Sequence, residues 1–401
     1  MQQLHSELWN RQIRPASLAA LALLTHCSAS PSAADAATKA AAFPNQRSDF
    51  TRSEGRALAY VANRFSDTVS VLDLNDLRTL DEVPIGRDPV DIDGPRHVVL
   101  DPARGSAYVL LGYPFSASSP HAVASGATRR SGYVRELSLA DLRPLGDLRV
   151  EPRAGDLTLS RDKSRLAVAH FDQDLALAQD VEARRADVAW ATSPWPSDID
   201  DMKTVPACAS PSELVFGADA SLLFVACTGE DSLVVLDVAT GSVQSRVAAG
   251  PDPVNKPFSL SSDASGTRLL LSNQVTRKVV AFTTDHTPSP LFATEAFEGI
   301  PFGATYVSER EFIVPLQDPS GAARVDASNG KVLSQVAYTD DECLNPGRVS
   351  VLGDGREFMV CEGSHYEPGW VSEIDPSTLR VLGSAPLGLY PDRLAVSELE
   401  H

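Results

Sequence analysis

The sequence has few of the residues, and none of the short motifs, that mark common catalytic centres. Its 401 residues include only 5 cysteines, 3 methionines and 8 histidines. It lacks the Gly-x-Ser-x-Gly nucleophile elbow, the glycine-rich nucleotide-binding loops, the His-Glu-x-x-His zinc motif and any Cys-x-x-Cys pair. These absences argue against covalently attached c-type haem and against the enzyme classes that are recognised by such motifs.

Positive charge is also scarce. Lysine and arginine together number 35 against 53 aspartates and glutamates, and the formal net charge is −18. A surface of this sign repels phosphate backbones, which argues against nucleic acid as a partner. The acidity would allow a cationic partner or a divalent metal, but solubility outside the cytoplasm is the simpler explanation.

The apolar run near the N-terminus is too short to cross a membrane as a helix. It covers Ala16–Leu24 and follows Arg11 and Arg14, which is the pattern of an export signal. The run is followed by Thr, His and Cys27, an ending that resembles a bacterial lipobox, in which a signal peptidase cuts before a cysteine that then carries lipid. His26 replaces the small residue usual at that place, so a plainly cleaved signal is the alternative.

We therefore predict a signal peptide over residues 1–27, with Cys27 as the lipidated residue of a bacterial cell-envelope lipoprotein, periplasmic or at the outer membrane. The chain would then contact the membrane through its lipid anchor only. Residues 28–54 are rich in alanine and serine without an amphipathic pattern, which is typical of a flexible tether. The folded body is predicted to span residues 55–401.

One repeat organises this body. The segment Tyr60–Pro89 and its flanks contain short runs of β-branched and apolar residues that are separated by Asn, Asp, Ser and Gly. The runs cover Ala57–Ala62, Thr68–Leu72 and Leu80–Ile85, and a fourth begins at Pro95. Four such runs predict one four-stranded antiparallel sheet.

The place of Tyr60 in the repeat occurs seven times, at a spacing of roughly forty to sixty residues that is typical of β-propeller blades. The corresponding residues are Tyr60, Tyr108, Ala167, Phe224, Leu270, Phe312 and Phe358. The predicted fold class is therefore all-β, a seven-bladed β-propeller of four-stranded antiparallel blades. Because the body begins at a second strand and ends on an innermost one, Asp392–Leu399, we expect the C-terminal strand to complete the first blade.

The repeat resembles the YVTN family of β-propeller repeats. The matching pieces are Tyr60-Val-Ala-Asn63, Thr68-Val-Ser-Val-Leu-Asp73 and Val83-Pro-Ile-Gly86, with a second copy at Phe224-Val-Ala-Cys227, Leu233–Asp237 and Val247–Gly250. The resemblance covers about residues 55–399 and implies the propeller architecture. It implies no single activity, because the family includes binding proteins beside a few enzymes, and similar seven-bladed propellers include lactonases that act on sugar lactones.

The four cysteines of the body fall in two pairs that hold the same two places in the repeat. Cys208 and Cys343 lie three residues before the proline that opens an innermost strand, while Cys227 and Cys361 lie three residues after an aligned position. Within an antiparallel blade, these two places are expected to face each other. The frame therefore predicts the disulfides Cys208–Cys227 and Cys343–Cys361, which suit an oxidising compartment. A cysteine-ligated metal is the alternative.

The candidate site is the mouth of the central channel, where each blade presents the residues that follow the turn into its innermost strand. The charged residues at these places are Arg96, His97, Asp156, Glu213, Arg348, Asp392 and Arg393. Such a ring could bind a small anionic or zwitterionic ligand, or hold a divalent metal through His97, Asp156 and Glu213. The alternative is that the charges pair with one another around a water-filled funnel. No cofactor is predicted beyond that possible metal.

Two long segments, residues 112–132 and 171–206, interrupt the repeat. Long loops on a rigid scaffold often carry function, and Trp190 and Trp195 in the second segment could form a ligand platform. The alternative is that both segments are tolerated insertions.

The sequence favours a monomeric, non-enzymatic propeller that acts as a binding or assembly platform for an envelope protein or a small ligand. The alternative is a propeller hydrolase of the lactonase type, with or without a metal. In that case the His, Asp, Glu and Arg side chains at the channel mouth would activate water or stabilise an oxyanion.

Replacing Cys27 tests the anchor. A Cys27→Ser variant should lose its lipid and leave the membrane fraction, because the chain has no other predicted contact with the bilayer. Intact mass spectrometry of the membrane-extracted wild type should give a mass above that of residues 27–401. A wild-type mass equal to that of an unmodified mature chain would contradict lipidation.

Overall fold

Short apolar runs that alternate with turn residues form 29 strands in the described part of the chain. The computed structural model describes residues 50–52, 55–87, 92–112, 132–150, 154–171, 185–191 and 202–397. The predicted signal peptide, Cys27 and most of the predicted tether lie outside these residues. No helix in the described ranges is long and apolar enough to cross a membrane.

The strands form seven antiparallel sheets, the blades, which we number in chain order. Blade 1 contains β1 (Leu58–Asn63), β2 (Thr68–Asp73), β3 (Arg78–Pro84) and the last strand of the chain, β29 (Pro391–Ser397). Blade 2 contains β4 (Pro95–Asp101), β5 (Ser106–Leu111), β6 (Gly132–Ser138) and β7 (Pro144–Val150), with a 3₁₀ turn at Pro102–Arg104. Blade 3 contains β8 (Ala154–Leu159), β9 (Leu166–His170), β10 (Arg185–Ala191) and β11 (Met202–Ala209).

The remaining four blades follow the same order from the innermost strand outwards. Blade 4 contains β12 (Pro211–Phe216), β13 (Leu222–Cys227), β14 (Ser232–Asp237) and β15 (Val243–Ala248). Blade 5 contains β16 (Pro257–Ser262), β17 (Arg268–Asn273), β18 (Lys278–Thr283) and β19 (Pro290–Ala293). Blade 6 contains β20 (Ile300–Pro301), β21 (Thr305–Tyr306), β22 (Glu311–Gln317), β23 (Gly321–Asp326) and β24 (Val332–Ala337). After the helix α1 (Asp340–Cys343), blade 7 contains β25 (Pro346–Val351), β26 (Glu357–Cys361), β27 (Pro368–Ile374) and β28 (Val381–Leu389).

The predicted fold class and the predicted closure of the ring are both confirmed. β29 pairs antiparallel with β1, with Leu58 opposite Ser397 and Tyr60 opposite Ala395. The C-terminal strand is therefore the innermost strand of blade 1. The first and last strands of the body thus satisfy each other's backbone groups instead of exposing two sheet edges.

The core lies between the blades. All six residues of β1, β5 and β13 are buried, because the second strand of each blade lies mid-sheet and its sheet packs against a neighbour on both faces. The aromatic residues at the aligned positions of the repeat are fully buried: Tyr60, Tyr108, Phe224, Phe312 and Phe358. The outermost strands, such as β15, alternate between exposed and half-buried residues.

The segment 171–206 is not simply an insertion, so that prediction is wrong in part. β10 and most of β11 lie within it and are the third and fourth strands of blade 3. The sequence concealed them because the run from Arg185 to Ala191 is dominated by alanine and charged residues rather than by β-branched ones. Trp190 belongs to β10, whereas Trp195 and the interior of the 112–132 segment lie outside the described residues.

Both predicted disulfides are present, with Cα–Cα distances of 6.0 Å for Cys208–Cys227 and 5.1 Å for Cys343–Cys361. The setting of the first differs from the prediction. Cys208 lies in β11, the outermost strand of blade 3, whereas Cys227 ends the second strand of blade 4. The bond therefore connects two blades rather than two places in one blade. Cys343 ends α1, which connects blades 6 and 7, so this bond also secures the entry of the chain into a blade.

Removal of the bond between blades 3 and 4 should destabilise the ring. A Cys208→Ala/Cys227→Ala double variant opens a loop of 19 residues, and the chain-entropy model gives a loss of about 3 kcal/mol in the free energy of unfolding for a loop of that size. Urea unfolding followed by far-ultraviolet circular dichroism measures the loss. An unchanged transition midpoint, with the second disulfide confirmed intact by mass, would contradict the stabilising role.

Candidate functional site

The innermost strands begin at one face of the ring, and several begin with the same irregularity. In blades 2, 4 and 5 a proline opens the strand and the pairing register then skips one residue, as in a β-bulge. The residues at these places are Arg96, Ser212 and Phe258, and blades 3 and 1 have Gly155 and Asp392 at corresponding shifts. A bulged residue lacks a cross-strand partner, and the bulge changes the direction in which its side chain points. The bulged residues named above therefore lie at the channel mouth.

A cavity of about 130 Å³ lies at this face. Six of the seven predicted mouth residues line it: Arg96, His97, Glu213, Arg348, Asp392 and Arg393. The seventh, Asp156, is 1% exposed and contacts His97 from behind the cavity wall. The repeat frame thus identified a set of side chains that the fold does bring together.

His97 and Asp156 form a buried pair. His97 Nδ1 lies 2.8 Å from Asp156 Oδ1 and 3.3 Å from the backbone N of Leu157. The shorter contact, to a carboxylate that can only accept, favours the tautomer in which Nδ1–H donates and Nε2 is the acceptor. Arg393 Nη1 lies 3.3 Å from that Nε2. Burial, together with the charge of Arg393, lowers the pKa of His97 to about 4 in spite of Asp156, so the imidazole is neutral at pH 7.

The Asp156 carboxylate stays ionised. Burial opposes its charge, but Arg393 and His97 outweigh burial and hold the pKa of Asp156 well below its usual range. Arg393 Nη2 is 3.1 Å from Asp156 Oδ1 and 2.5 Å from Glu213 Oε1. One guanidinium therefore bridges two carboxylates, and Arg348 donates a further charged hydrogen bond to Glu213.

The same carboxylates connect neighbouring blades. Asp156 Oδ2 accepts from the backbone N–H of Leu214, 2.9 Å away in the innermost strand of blade 4. Glu213 Oε2 accepts from the N–H of Leu260, 2.7 Å away in the innermost strand of blade 5. Innermost strands of different blades belong to different sheets, so these side chains supply the bonds that backbone pairing cannot. The predicted alternative of mutually paired charges is correct for this half of the mouth.

A second polar group lies beside the first. Arg96 Nε is 3.4 Å from Asp392 Oδ2, and the buried Glu362 bonds to His365 Nε2 at 3.0 Å. The ring of His365 stacks on Tyr390 with 3.7 Å between centroids. Burial raises the pKa of Glu362, although the hydrogen bond with His365 opposes the shift.

Arg64, Glu362 and Tyr390 are among the lining residues that the sequence prediction missed. Arg64 and Glu362 each directly follow a second strand, β1 and β26. Second strands end at the face where innermost strands begin, because the two run antiparallel. The residue after each second strand was therefore available as a signal in the repeat frame.

Aromatic side chains complete the cavity. Phe258 and Phe302 lie with ring centroids 4.9 Å apart, and the Arg348 guanidinium carbon is 5.5 Å from the centroid of Phe302. Phe171 also lines the space. The cavity thus offers an apolar surface beside charged groups, which suits a small polar ligand that has a hydrocarbon face.

The proposed metal set is not arranged as a metal centre. His97, Asp156 and Glu213 converge, but Arg393 lies between the two carboxylates, and its positive charge occupies the place a cation would take. No group of three or more metal-ligating side chains that could hold a metal ion occurs in the part of the chain that the structure describes.

Comparison of the structure with solved structures supports the fold class. The periplasmic gluconolactonase of Pseudomonas aeruginosa is similar with a TM-score of 0.62 and 16% identity, over 86% of this chain and 100% of that one. A candidate 6-phosphogluconolactonase of Bacteroides uniformis gives 0.62 and 12%, over 85% and 100%. Hydrazine synthase of Kuenenia stuttgartiensis gives 0.56 and 12%, over 80% and 92%. No protein-family model and no curated protein matches the sequence. At these identities the likeness defines a β-propeller protein and no activity.

The lowered pKa of His97 predicts a pH dependence of stability. The unfolded histidine takes up a proton near pH 6.5 and the folded one only near pH 4, so the unfolded state binds more protons between these values. The contribution of the neutral imidazole to the free energy of unfolding is fully present above pH 6.5 and is lost as the pH falls to 4. A pKa difference of that size corresponds to about 3 kcal/mol. Urea titrations should show a shallower loss for His97→Gln than for the wild type over this range. Parallel curves for the two proteins would contradict burial of the neutral imidazole.

Proposed function

We propose that this protein is an exported hydrolase of the lactonase type, which opens small cyclic esters such as sugar lactones at the mouth of the propeller channel. The observation that carries the proposal is the His97–Asp156 pair, whose Nε2 lies 3.3 Å from Arg393 Nη1 in a cavity with an aromatic wall. A base and a cation are groups that ester hydrolysis uses, and the aromatic wall suits the hydrocarbon face of a sugar ring.

In this proposal His97 is the general base. Its Nε2 takes a proton from water as the water oxygen attacks the lactone carbonyl, and Asp156 stabilises the imidazolium that forms. Arg393 lies 3.3 Å from Nε2, where its charge would stabilise the tetrahedral oxyanion. Collapse of this intermediate breaks the ring ester bond, and the imidazolium returns the proton to the departing ring oxygen. The product is an open-chain hydroxy acid.

The comparisons support this reading over a purely structural one. Two of the similar structures are described as lactonases, and one of these is periplasmic. Disulfides persist in oxidising compartments, so Cys208–Cys227 and Cys343–Cys361 support export, as does the predicted signal. We propose a periplasmic or outer-membrane location, with Cys27 as the anchor.

A non-enzymatic binding platform, the function that the sequence alone favoured, is the second candidate. It is supported by the ion pairs of Glu213 with Arg348 and Arg393, which stiffen the mouth and engage groups that a reaction would need. A binding protein would retain its ligand unchanged, whereas a lactonase releases acid from it.

Lactone hydrolysis distinguishes the two candidates. The purified wild type should release acid from glucono-δ-lactone above the spontaneous rate in a pH-stat, and His97→Gln should reduce kcat/KM by about 10²- to 10⁴-fold, the usual contribution of a general base. The wild-type rate should rise through pH 4 and level off above it, because His97 must be neutral.

The exposed His286 provides a matched control, since His286→Gln also removes an imidazole but lies outside the cavity lining. This variant should hydrolyse the lactone at the wild-type rate. Equal rates for His97→Gln and the wild type would refute the assigned base. A wild type that binds the lactone without releasing acid would favour the platform.

A further inference from the structure

The two halves of the cavity differ in how completely their charges are paired. In the half around His97, two arginines face two carboxylates and the imidazole is neutral, so the charges cancel. The groups are Arg348, Arg393, Asp156 and Glu213. This half therefore carries no net charge.

The other half pairs its charges less completely. It contains Arg64 and Arg96, and of its two carboxylates only Asp392 lies within ion-pair distance of either arginine, since Glu362 bonds to His365 instead. Asp392 forms an ion pair with Arg96, at 3.4 Å between Nε and Oδ2, and acts on Arg64 only as a nearby charge. Within the described residues, one of the two guanidinium groups is thus ion-paired and the other is not.

Arg64 is the unbalanced member. No carboxylate in the described ranges forms an ion pair with it, and its Nε is buried without a hydrogen-bond partner. Its guanidinium lies 5.3 Å from the centroid of the Tyr390 ring. Burial and the nearby charge of Arg96 both lower the pKa of Arg64. Removal from water and repulsion by a second cation each disfavour the protonated guanidinium.

We propose that Arg64 and Arg96 form a subsite for one anionic group, a carboxylate or a phosphate, carried by the small molecule that occupies the cavity. An oxyanion there would accept hydrogen bonds from the guanidinium of Arg64 and supply the anionic partner that it lacks, in the planar geometry that guanidinium groups favour. The inference deepens the proposed function, on whose cavity it rests. The ligand is thereby an acidic lactone or the hydroxy acid that hydrolysis yields.

Isothermal titration calorimetry of the full-length protein at low ionic strength tests the subsite. The probes are gluconate, inorganic phosphate and neutral sorbitol, and the variants are Arg64→Gln and, as a control of equal charge, Arg310→Gln, an exposed arginine of the turn before β22. Both anions or one of them should bind the wild type while sorbitol does not. Arg64→Gln should weaken that binding by about tenfold or more, the usual effect of losing a charged hydrogen bond.

The choice of anion identifies the group: binding of gluconate alone assigns a carboxylate, and tighter binding of phosphate assigns a phosphorylated ligand. Wild-type affinity in Arg64→Gln, equal binding of sorbitol, or no binding of either anion at millimolar concentration would overturn the subsite. If Arg64→Gln does not fold, Arg64→Lys should fold and bind with intermediate affinity, because it retains the charge but not the planar pair of donors.

Hydrolysis is scored separately, so the two proposals fail independently. If the protein binds anions through Arg64 but does not open lactones, the subsite proposal stands and the lactonase proposal is refuted. If it hydrolyses lactones but Arg64→Gln leaves anion affinity unchanged, the lactonase proposal stands and the subsite proposal is refuted.

Discussion

Closure of the ring by β29 is the constraint on which the rest of the structure depends. The strand reaches blade 1 from the far end of the chain, and it carries Asp392 and Arg393 into the channel mouth. Arg393 then contacts His97, Asp156 and Glu213, which belong to blades 2, 3 and 4. The candidate site is therefore assembled only when the propeller is closed, and folding and function share one set of contacts.

Buried charges at the axis are costly, and the structure offsets the cost in two ways. Each carboxylate of the His97 half faces a guanidinium, and each also accepts a backbone N–H from the next blade. Replacing one partner would leave an uncompensated buried charge, which typically destabilises a protein by 3–5 kcal/mol. In the half that contains Arg64, one guanidinium lacks such a partner. Because folding does not require an unpaired cation there, we expect a ligand to bind in this half.

The sequence predicted the architecture well because the physical signals repeat. A large apolar residue recurs at the place of Tyr60 in most blades, since each second strand is buried between two neighbouring sheets. The opening prolines marked the innermost strands and so located most of the site. Prediction failed where a strand lacks the usual run of β-branched residues, as in β10. It also missed Arg64 and Glu362, because both follow second strands, whereas the predicted set contained only residues at the start of innermost strands.

We propose that the ligand binds at the channel mouth, within reach of His97 and Arg393. A crystal structure with a sugar lactam, whose amide replaces the hydrolysable ester, would show the binding site. We expect density for the analogue in the cavity, with its carbonyl oxygen within hydrogen-bond distance of Arg393 and its ring against Phe258 or Phe302. Density for the analogue on an outer face of the blades, with the mouth occupied only by water, would contradict it.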